Sequence, residues 1–426
     1  MISTLRNAWK IPELRAKILY TLFMLAIFRL GSVIPVPGIN IDIVKALVEQ
    51  AGFLSFFDLF SGGNFGNMTI FALSITPYIT ASIIIQLLTI AIPSLEELAK
   101  EGEEGKKKIT QYTRYVTIVL ALIQAAAISI GLFGSALIAK DAFSVTVVVL
   151  TLTAGTAFLM WLGEQITEKG IGNGISLIIF AGIVSRIPST IAQTYYGLKY
   201  GTIGILSLIV FLIFVLIIVA GVVTITEGTR KIPVQYAKRV VGRKMYGGQS
   251  SHIPLKVNQS GVVPVIFASS LLSFPQTIAM FMGADSGLGR FVAKWLSPSS
   301  SSAGGVIIYS LLTAVLIIFF TYFYTAITFN PGEVASNMKK NGGFIPGIRP
   351  GKPTSDYLSK VLNRITLAGA VFLAAIALLP AAIMQITGMN ISFGGTAILI
   401  VVGVALETMK QIEAQMLMRH YQGFLK

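Results

Sequence analysis

Ten long apolar segments, separated by charged loops, dominate this sequence of 426 residues. The hydrocarbon core of a bilayer is spanned by about 20 predominantly apolar residues per helix. Hydrophobic residues make up 54% of the chain and charged residues 12%, which is unlike a soluble domain. The sequence therefore predicts an all-α polytopic membrane protein. The ten spans are expected at Ala16–Val36, Leu73–Ile92, Tyr115–Leu137, Ser144–Ile166, Ile175–Ile191, Thr202–Glu227, Gly261–Phe281, Val306–Phe329, Leu362–Ile383 and Phe393–Glu413.

The loops between the spans carry unequal numbers of basic residues. An even number of spans places both termini on one side, and that side holds 26 of the 33 Lys and Arg residues. The opposite loops hold six, and Arg29 lies within the first span. The positive-inside rule assigns the basic side to the cytoplasm. We therefore expect both termini to be cytoplasmic, and the first span to be retained because no small-residue cleavage pattern follows it.

Enzyme chemistry finds little support in the sequence. Cysteine is absent and histidine occurs twice, which argues against disulfides, thiol catalysis and a histidine-rich metal site. The stretch Pro346–Pro353 lacks the first Gly and the final Ser or Thr of a phosphate loop, and Gly170–Gly174 has the wrong spacing for a dinucleotide motif. We therefore predict no catalytic residues, no metal and no cofactor.

Ion-coupled transport is an alternative that the sequence leaves open. Coupling usually requires ionisable residues in mid-membrane. Arg29 and Glu407 are the charges that lie well inside the predicted spans, and both lie towards a helix end. There a side chain can reach the membrane surface or pair with a neighbour. A secondary transporter of small solutes therefore remains the second hypothesis.

The second and seventh spans differ from ordinary lipid-facing helices. The segment Leu73–Ser82 and the segment Gly261–Pro275 mix Ser, Thr and Pro with large apolar residues. Small and polar residues are typical of packed or water-lined helix surfaces, and proline is tolerated where neighbours satisfy the freed backbone groups. These segments either line a pore or are buried inside the helix bundle.

Isoleucines recur at helical spacing in two of the spans. Ile75 and Ile79 share one helix face, as do Ile175 and Ile179. With Ile266 and Ile400, contributed by two further spans, they could form an apolar ring that excludes water from a pore. The same spacing is also typical of plain core packing.

Between the first two spans, the sequence from 56 to 67 is too short and polar to cross a membrane. It is also rich in aromatic residues and glycine. Such a segment is either re-entrant, which is tolerated where it lines a cavity, or a loop on the outer surface.

Two long cytoplasmic loops are expected to project from the membrane. In the loop over about 229–259, alternating residues around glycines predict a β-hairpin. The second loop, over about 330–361, carries Lys339, Lys340, Arg349 and Lys352. Contact with lipid headgroups would explain their charge, whereas a docking platform for an anionic partner would also explain a folded hairpin.

Several motifs together closely resemble the SecY family, the central subunits of the bacterial protein-translocation channel. The resemblance covers nearly the whole chain in order. The matching stretches are Phe60-Ser61-Gly62-Gly63, Pro77–Leu88, Gly163–Gly174, Tyr236-Ala237-Lys238-Arg239, Pro254–Asn258, Phe344–Gly351 and Phe393–Thr396.

This resemblance implies two pseudo-symmetric halves of five helices around a central pore, residues 1–200 with a plug at about 55–68, and residues 201–426. It implies a pore ring at Ile75, Ile79, Ile175, Ile179, Ile266 and Ile400. It places a mobile plug at Phe57, Phe60, Ser61, Gly62 and Gly63. A lateral gate is expected at Thr80, Gln86, Asn258 and Phe274, held closed by weak hydrogen bonds across the seam.

The resemblance also implies a function and partners. The expected function is a passive conduit for unfolded secretory proteins in the cytoplasmic (inner) membrane, with a side exit for membrane segments. The expected partners are the small membrane subunits SecE and SecG, the SecA ATPase, the ribosome, signal-bearing precursor proteins and anionic phospholipids. Partner docking is expected at Lys238, Arg243, Lys244 and Arg349.

Overall fold

A computed structural model gives the fold of this chain. It describes residues 2–50, 58, 61–201, 204–236, 239–241, 244–246, 250–282, 286–297, 302–387 and 395–423. Four of the predicted site residues, Phe57, Phe60, Lys238 and Arg243, lie outside the described residues, as does the side chain of Lys244.

The described part of the first 200 residues is mainly helical. The helices are α1 (Ile2–Trp9), α2 (Pro12–Gly31), α3 (Ile41–Gln50), α4 (Thr76–Ala91), α5 (Pro93–Lys100), α6 (Glu103–Ala126), α7 (Ala142–Lys169), α8 (Gly174–Ser185) and α9 (Ile187–Lys199). A π-helical turn at Ala127–Leu132 extends α6.

The remaining residues combine long helices with a small β region. The elements are α10 (Ile205–Glu227), β1 (Thr229–Tyr236), β2 (Arg239–Val241), β3 (Lys244–Tyr246), β4 (Ser250–Lys256), α11 (Val263–Met282), α12 (Gly287–Trp295), α13 (Ala303–Thr328), α14 (Pro331–Lys340), β5 (Gly343–Phe344), α15 (Lys352–Thr387) and α16 (Gly395–Gly423).

Each of the ten predicted spans coincides with a helix. By length and composition alone, six described helical segments qualify as membrane spans, or seven if the bent pair α4–α5 is one span. The protein is thus a multi-pass helical bundle, although this criterion does not itself yield ten spans. The fifth span also extends further than predicted, because α9 continues it to Lys199 after an interruption at Arg186.

The sharpest bend among these spans has a local cause. The axes of α4 and α5 differ by 101°, and Ile92 between them adopts an extended conformation with φ −111° and ψ 114°. Ile92 precedes Pro93, and proline disfavours the helical conformation of the residue before it. The chain therefore leaves the apolar layer at this point, and none of the eight residues of α5 is buried.

The two parts of the chain meet along two seams. On one side, α4 and the π-helical turn both contact α11. On the other side, α8 contacts α16. Between the seams lies one continuous apolar core, with Ile178, Leu162, Ile317 and Leu399 among its fully buried members. This arrangement surrounds the position where the predicted ring residues meet.

The two long loops that were predicted to be cytoplasmic share one sheet. The strand order is β4-β1-β5, with β1 and β4 antiparallel from Thr229 opposite Lys256 to Gln235 opposite Ser250. The predicted hairpin is therefore confirmed, while the third strand, with Phe344 opposite Gln235, comes from the other loop and was not predicted. A separate pair, β2 and β3, is also antiparallel.

Candidate functional site

The six predicted ring isoleucines lie in one apolar cluster. Five of them are buried, namely Ile75, Ile79, Ile179, Ile266 and Ile400, and the partly buried Ile175 packs against the same cluster. Ile79 donates its backbone N–H to the carbonyl of Ile75 at 3.0 Å, so these two side chains are one helical turn apart. Four helix regions that are distant in sequence thus contribute to one apolar cluster.

Small residues permit this convergence on the side of α8. A β-carbon on Gly163 of α7 would lie 2.5 Å from Cδ1 of Ile175, and one on Gly174 would lie 1.9 Å from the carbonyl oxygen of Gly163. Side chains at these positions would separate α7 from α8. The Gly163 motif found in the sequence therefore sets how closely α8 approaches its neighbour.

One face of α8 continues from the ring towards the segment before α4. Ile175, Ile179, Gly182 and Arg186 are spaced by four, three and four residues, which places them on the same side of a helix. Seven residues separate Ile179 from Arg186, a rise of about 10 Å. The face that carries two ring residues therefore also meets the predicted plug.

The described part of the predicted plug is buried. Ser61 is 3% exposed and Asn64 is 1% exposed, so the interpretation as an outer surface loop is wrong for these residues. The turn is held by its own hydrogen bonds. Ser61 Oγ donates to the carbonyl of Asp58 at 3.0 Å, Asn64 Nδ2 donates to the carbonyl of Ser61 at 2.7 Å, and Phe65 N–H donates to Ser61 Oγ at 3.0 Å.

Two contacts join this turn to the end of α8. Gly62 has a φ of +71°, and a β-carbon placed on it would lie 2.6 Å from the Cα of Gly182. Arg186 Nη1 lies 2.8 Å from Asp58 Oδ2. That nitrogen has no hydrogen bond of good geometry, so the contact is an ion pair without a directed hydrogen bond. The other end of the turn is anchored by Val36 N–H, which donates to the carbonyl of Met68 at 2.9 Å.

The predicted lateral gate falls on the seam between α4 and α11. Thr80 and Gln86 lie on α4, and Phe274 lies on α11, directly before Pro275. Asn258 precedes α11, and its Cα lies 3.9 Å from a β-carbon placed on Gly369 of α15. Two helices of the predicted gate are thus in direct contact, while Asn258 sits close to a third.

The expected hydrogen bonds across this seam are not among the bonds that the described residues form. Thr80 Oγ1 donates to the carbonyl of Thr76 at 3.0 Å, and Gln86 Nε2 donates to Ser82 Oγ at 3.2 Å, both within α4. Asn258 Oδ1 accepts from Ser260 Oγ at 3.4 Å. Gln86 Oε1 is buried without a partner. Among the described residues, these three side chains therefore bond within their own segments, and α4 and α11 are in contact without a hydrogen bond from any of the three across the seam.

The predicted docking surface belongs to a folded unit with its own small core. Ile232, Val234 and Leu255 of the sheet pack with Met338 of α14 and Leu358 of α15. Arg349 is exposed at a turn that begins where Ile348 N–H donates to the carbonyl of Ile345 at 3.0 Å. The carbonyl of Arg349 accepts from Thr354 Oγ1 at 2.8 Å. The backbone therefore presents this guanidinium at a fixed place on the surface.

Three residues of the site were not predicted from the sequence. Asp58 was one polar residue in an aromatic segment, Gly182 was an ordinary small residue, and Arg186 was counted among the basic residues of the outer loops. The available signal was the spacing from Ile179, because Gly182 and Arg186 follow it at three and seven residues. That spacing has meaning only once the plug turn is known to reach this helix face.

Comparisons with known proteins agree with this geometry. The family model described as SecY matches residues 69–409. A protein of Halalkalibacterium halodurans, named Protein translocase subunit SecY, is 49% identical over 438 residues and the match covers 100% of both chains. The family match therefore includes the ring, gate and docking segments, and the relative aligns from end to end.

Two solved structures share the fold. One is described as showing that the plug domain of the SecY protein stabilises the closed state of the translocation channel and maintains a membrane seal. It has a TM-score of 0.69 at 21% identity, with 94% of this chain and 92% of that chain covered. The other, Sec61 in the canine ribosome-channel complex from the endoplasmic reticulum, has a TM-score of 0.62 at 19% identity over the same shares. With a family model matched over most of its length and a full-length relative at 49% identity, the chain belongs to the SecY family of protein translocase subunits.

Proposed function

We propose that this chain forms the pore through which a protein-translocation channel passes unfolded secretory proteins and releases membrane segments sideways into the lipid. The chain is a channel subunit of the translocase family and not an enzyme. The observation that carries the proposed pore is the convergence of six isoleucines in one cluster, with the predicted plug turn against the same helix face.

The six isoleucines would act as the constriction. An aliphatic ring excludes water and ions by dewetting and makes no strong bonds that a moving polypeptide would need to break. A chain passing through would displace side chains by rotamer changes and small helix shifts. The ring therefore suits a substrate of variable sequence better than a ring of charged or hydrogen-bonding groups.

The segment around Phe57, Phe60, Ser61, Gly62 and Gly63 would act as the plug. Its described residues are compact, buried and in contact with α8 beyond the ring. A turn that bonds mainly to itself can leave its place as one body, because few of its hydrogen bonds have to be exchanged. Such a body seals the pore at rest and yields to a translocating chain.

The seam between α4 and α11 would be the lateral exit, with Thr80, Gln86, Asn258 and Phe274 along its edges. The side-chain hydrogen bonds of Thr80 and Gln86 stay within α4. The seam can therefore part at the cost of apolar contact, which an entering hydrophobic signal helix replaces with its own. The two halves that part would be residues 1–200 and 201–426.

The sheet β4-β1-β5 and the basic loops that form it would dock the cytoplasmic partners. Charged loops that steer an acidic partner speed its association, and Arg349 is exposed on a turn with a small core beneath it. We assign to this surface the SecA ATPase and the ribosome, with Lys238, Arg243 and Lys244 beside Arg349. The ribosome is the partner that one structural neighbour carries in its description.

The remaining partners follow from membership of the family. The small subunits SecE and SecG would complete the complex, signal-bearing precursors would be the cargo, and anionic phospholipids would meet the basic cytoplasmic face. The protein is a multi-pass membrane protein. We assign it to the cytoplasmic (inner) membrane with both termini in the cytoplasm, because 26 of 33 basic residues lie on that side of the predicted topology.

A secondary transporter of small solutes is the weaker hypothesis, since the large folded basic loops serve no purpose in solute coupling. Reconstitution distinguishes the two. The purified complex in liposomes, supplied with the ATPase, ATP and a signal-bearing precursor, should protect the precursor from external protease. Absence of protection from a complex that remains folded, together with gradient-driven uptake of a small solute, would contradict the channel assignment.

A further inference from the structure

An ion pair between Asp58 and Arg186 joins the plug turn, Asp58 with residues 61–68, to the helix bundle. Arg186 Nη1 lies 2.8 Å from Asp58 Oδ2, and the two side chains are 25% and 11% exposed. Partial burial lowers the local dielectric and reduces screening by salt. A pair in this setting holds its partners more firmly than the same pair on an open surface.

The carboxylate of Asp58 connects the plug turn to the helix bundle. Its Oδ1 accepts a hydrogen bond from Gly66 N–H at 2.7 Å, while its Oδ2 faces Arg186. The backbone carbonyl of Asp58 also accepts from Gly63 N–H at 2.9 Å and from Ser61 Oγ at 3.0 Å. Asp58 is thus integrated into the turn, and a force on its side chain moves the whole turn.

Arg186 is well placed to hold this turn over the pore. It lies between α8 and α9, on the helix face that carries Ile175, Ile179 and Gly182. Gly182 meets Gly62 backbone to backbone, a contact without interlocking side chains. The guanidinium therefore supplies the electrostatic part of the attachment, and the glycine pair supplies close fit.

The geometry of the pair also permits release. Because Arg186 Nη1 makes no hydrogen bond of good geometry, separation breaks an electrostatic attraction and no directed bond. We propose that Arg186 is a positioning residue, which holds the plug turn in the closed pore through Asp58 and gives it up when a polypeptide enters. This inference rests on the proposed function of the turn as a plug.

The experiment measures resting ion conductance of the purified complex in planar bilayers. Asp58→Asn and Arg186→Gln should each raise resting conductance roughly tenfold, which corresponds to about 1.4 kcal/mol. The double variant Asp58→Asn with Arg186→Gln should leak no more than either single variant, because each single change already removes the same attraction and Asn keeps the acceptor for Gly66 N–H. Lys140→Gln removes an exposed cation on the predicted outer side and should leave resting conductance unchanged.

Deletion of residues 55–68 separates the two hypotheses. If the deletion leaks but the single variants do not, Arg186 does not hold the plug. If the deletion itself stays tight, the plug assignment fails. Thermal melting of each complex reports folding, and a folded double variant whose increase in conductance equals the product of the two single increases would overturn the proposal, because the two residues would then act independently. Arg186→Lys keeps the charge and should remain nearly tight, whereas leakage equal to that of Arg186→Gln would show that charge is not what matters.

Discussion

A β-carbon on Gly62 would lie 2.6 Å from the Cα of Gly182, closer than any real pair of such atoms. The plug turn and α8 are therefore in backbone contact, and this contact excludes every side chain at position 62. The adjacent Gly63 shares the left-handed conformation, with φ +88°, yet a β-carbon there meets only Asn67 Nδ2 at 3.9 Å. The two neighbouring glycines thus separate the effect of steric clash from that of backbone strain.

Gly62→Ala should displace the plug and raise resting conductance several-fold, because the new methyl group overlaps the backbone of α8. Gly63→Ala bears a comparable conformational cost of about 1–2 kcal/mol without the overlap, and its conductance should stay near that of the unmodified chain. Planar-bilayer recordings check both. Equal leakage from the two variants would mean that strain in the turn, and not its fit to Gly182, controls the seal.

Replacing Ile75 and Ile400 together with Ser should increase resting ion leakage through the constriction. Hydroxyl groups at the ring favour water in the pore, and dewetting no longer closes it. Ile317→Ser on α13 is the matched control, since Ile317 is also fully buried in the same core but outside the ring. The Ile317→Ser variant should lower the melting temperature of the complex and leave its resting ion conductance unchanged. Unchanged conductance in the double variant would count against the ring assignment.

Replacing Gln86 and Asn258 with Leu should raise the signal hydrophobicity that translocation requires. Gln86 Oε1 is buried without a partner, a state that costs about 1–3 kcal/mol, so an apolar side chain there stabilises the closed seam. The measurement is translocation of a precursor series graded in signal hydrophobicity. Gln193→Leu, at an exposed position of α9, is the control. If the signal hydrophobicity required for translocation is unchanged in the double variant, these two residues contribute to packing and not to gating.

Reversing the charge of Arg349 with Arg349→Glu should abolish ATP-driven translocation while leaving the complex folded, because exposed substitutions usually change stability by less than about 0.5 kcal/mol. Lys45→Glu makes the same change at an exposed residue on the opposite side of the predicted topology and should translocate normally. Protease protection of a precursor and thermal melting are measured together. Normal translocation by the Arg349 variant would refute its role in docking.

Local patterns in the sequence predicted much of this fold. The length of the apolar segments predicted a helix in every expected span. Alternating apolar and polar residues around glycines predicted the β1–β4 hairpin. The strand β5 escaped prediction, because its two residues, Gly343 and Phe344, pair with Gln235 and Tyr236 more than 100 positions earlier. Pairing between residues so far apart in the sequence cannot be predicted from the pattern of neighbouring residues.

The same distinction holds for the candidate site. Helical spacing and family motifs predicted the six ring isoleucines, and all six belong to one apolar cluster. Asp58 and Arg186 were missed because their significance is a contact across the chain, and neither residue type is unusual where it stands. Two of the predicted gate helices, α4 and α11, are in contact, but the hydrogen-bond partners of the predicted gate residues were not foreseen, since rotamers decide between bonds within one helix and bonds to another.

The three-stranded sheet has a mechanical consequence. β1 follows α10, β4 precedes α11, and β5 lies between α14 and α15, so one rigid plate is connected to four helices. Two separate loops could each move independently under an applied force, whereas strands that are hydrogen-bonded to one another move together. If a partner presses on the turn at Arg349, as proposed above, the hydrogen-bonded strands would transmit the push to the first turn of α11, which begins seven residues beyond the end of β4 at Lys256. The sheet would then convert a push on this turn into movement of the helix that contacts α4.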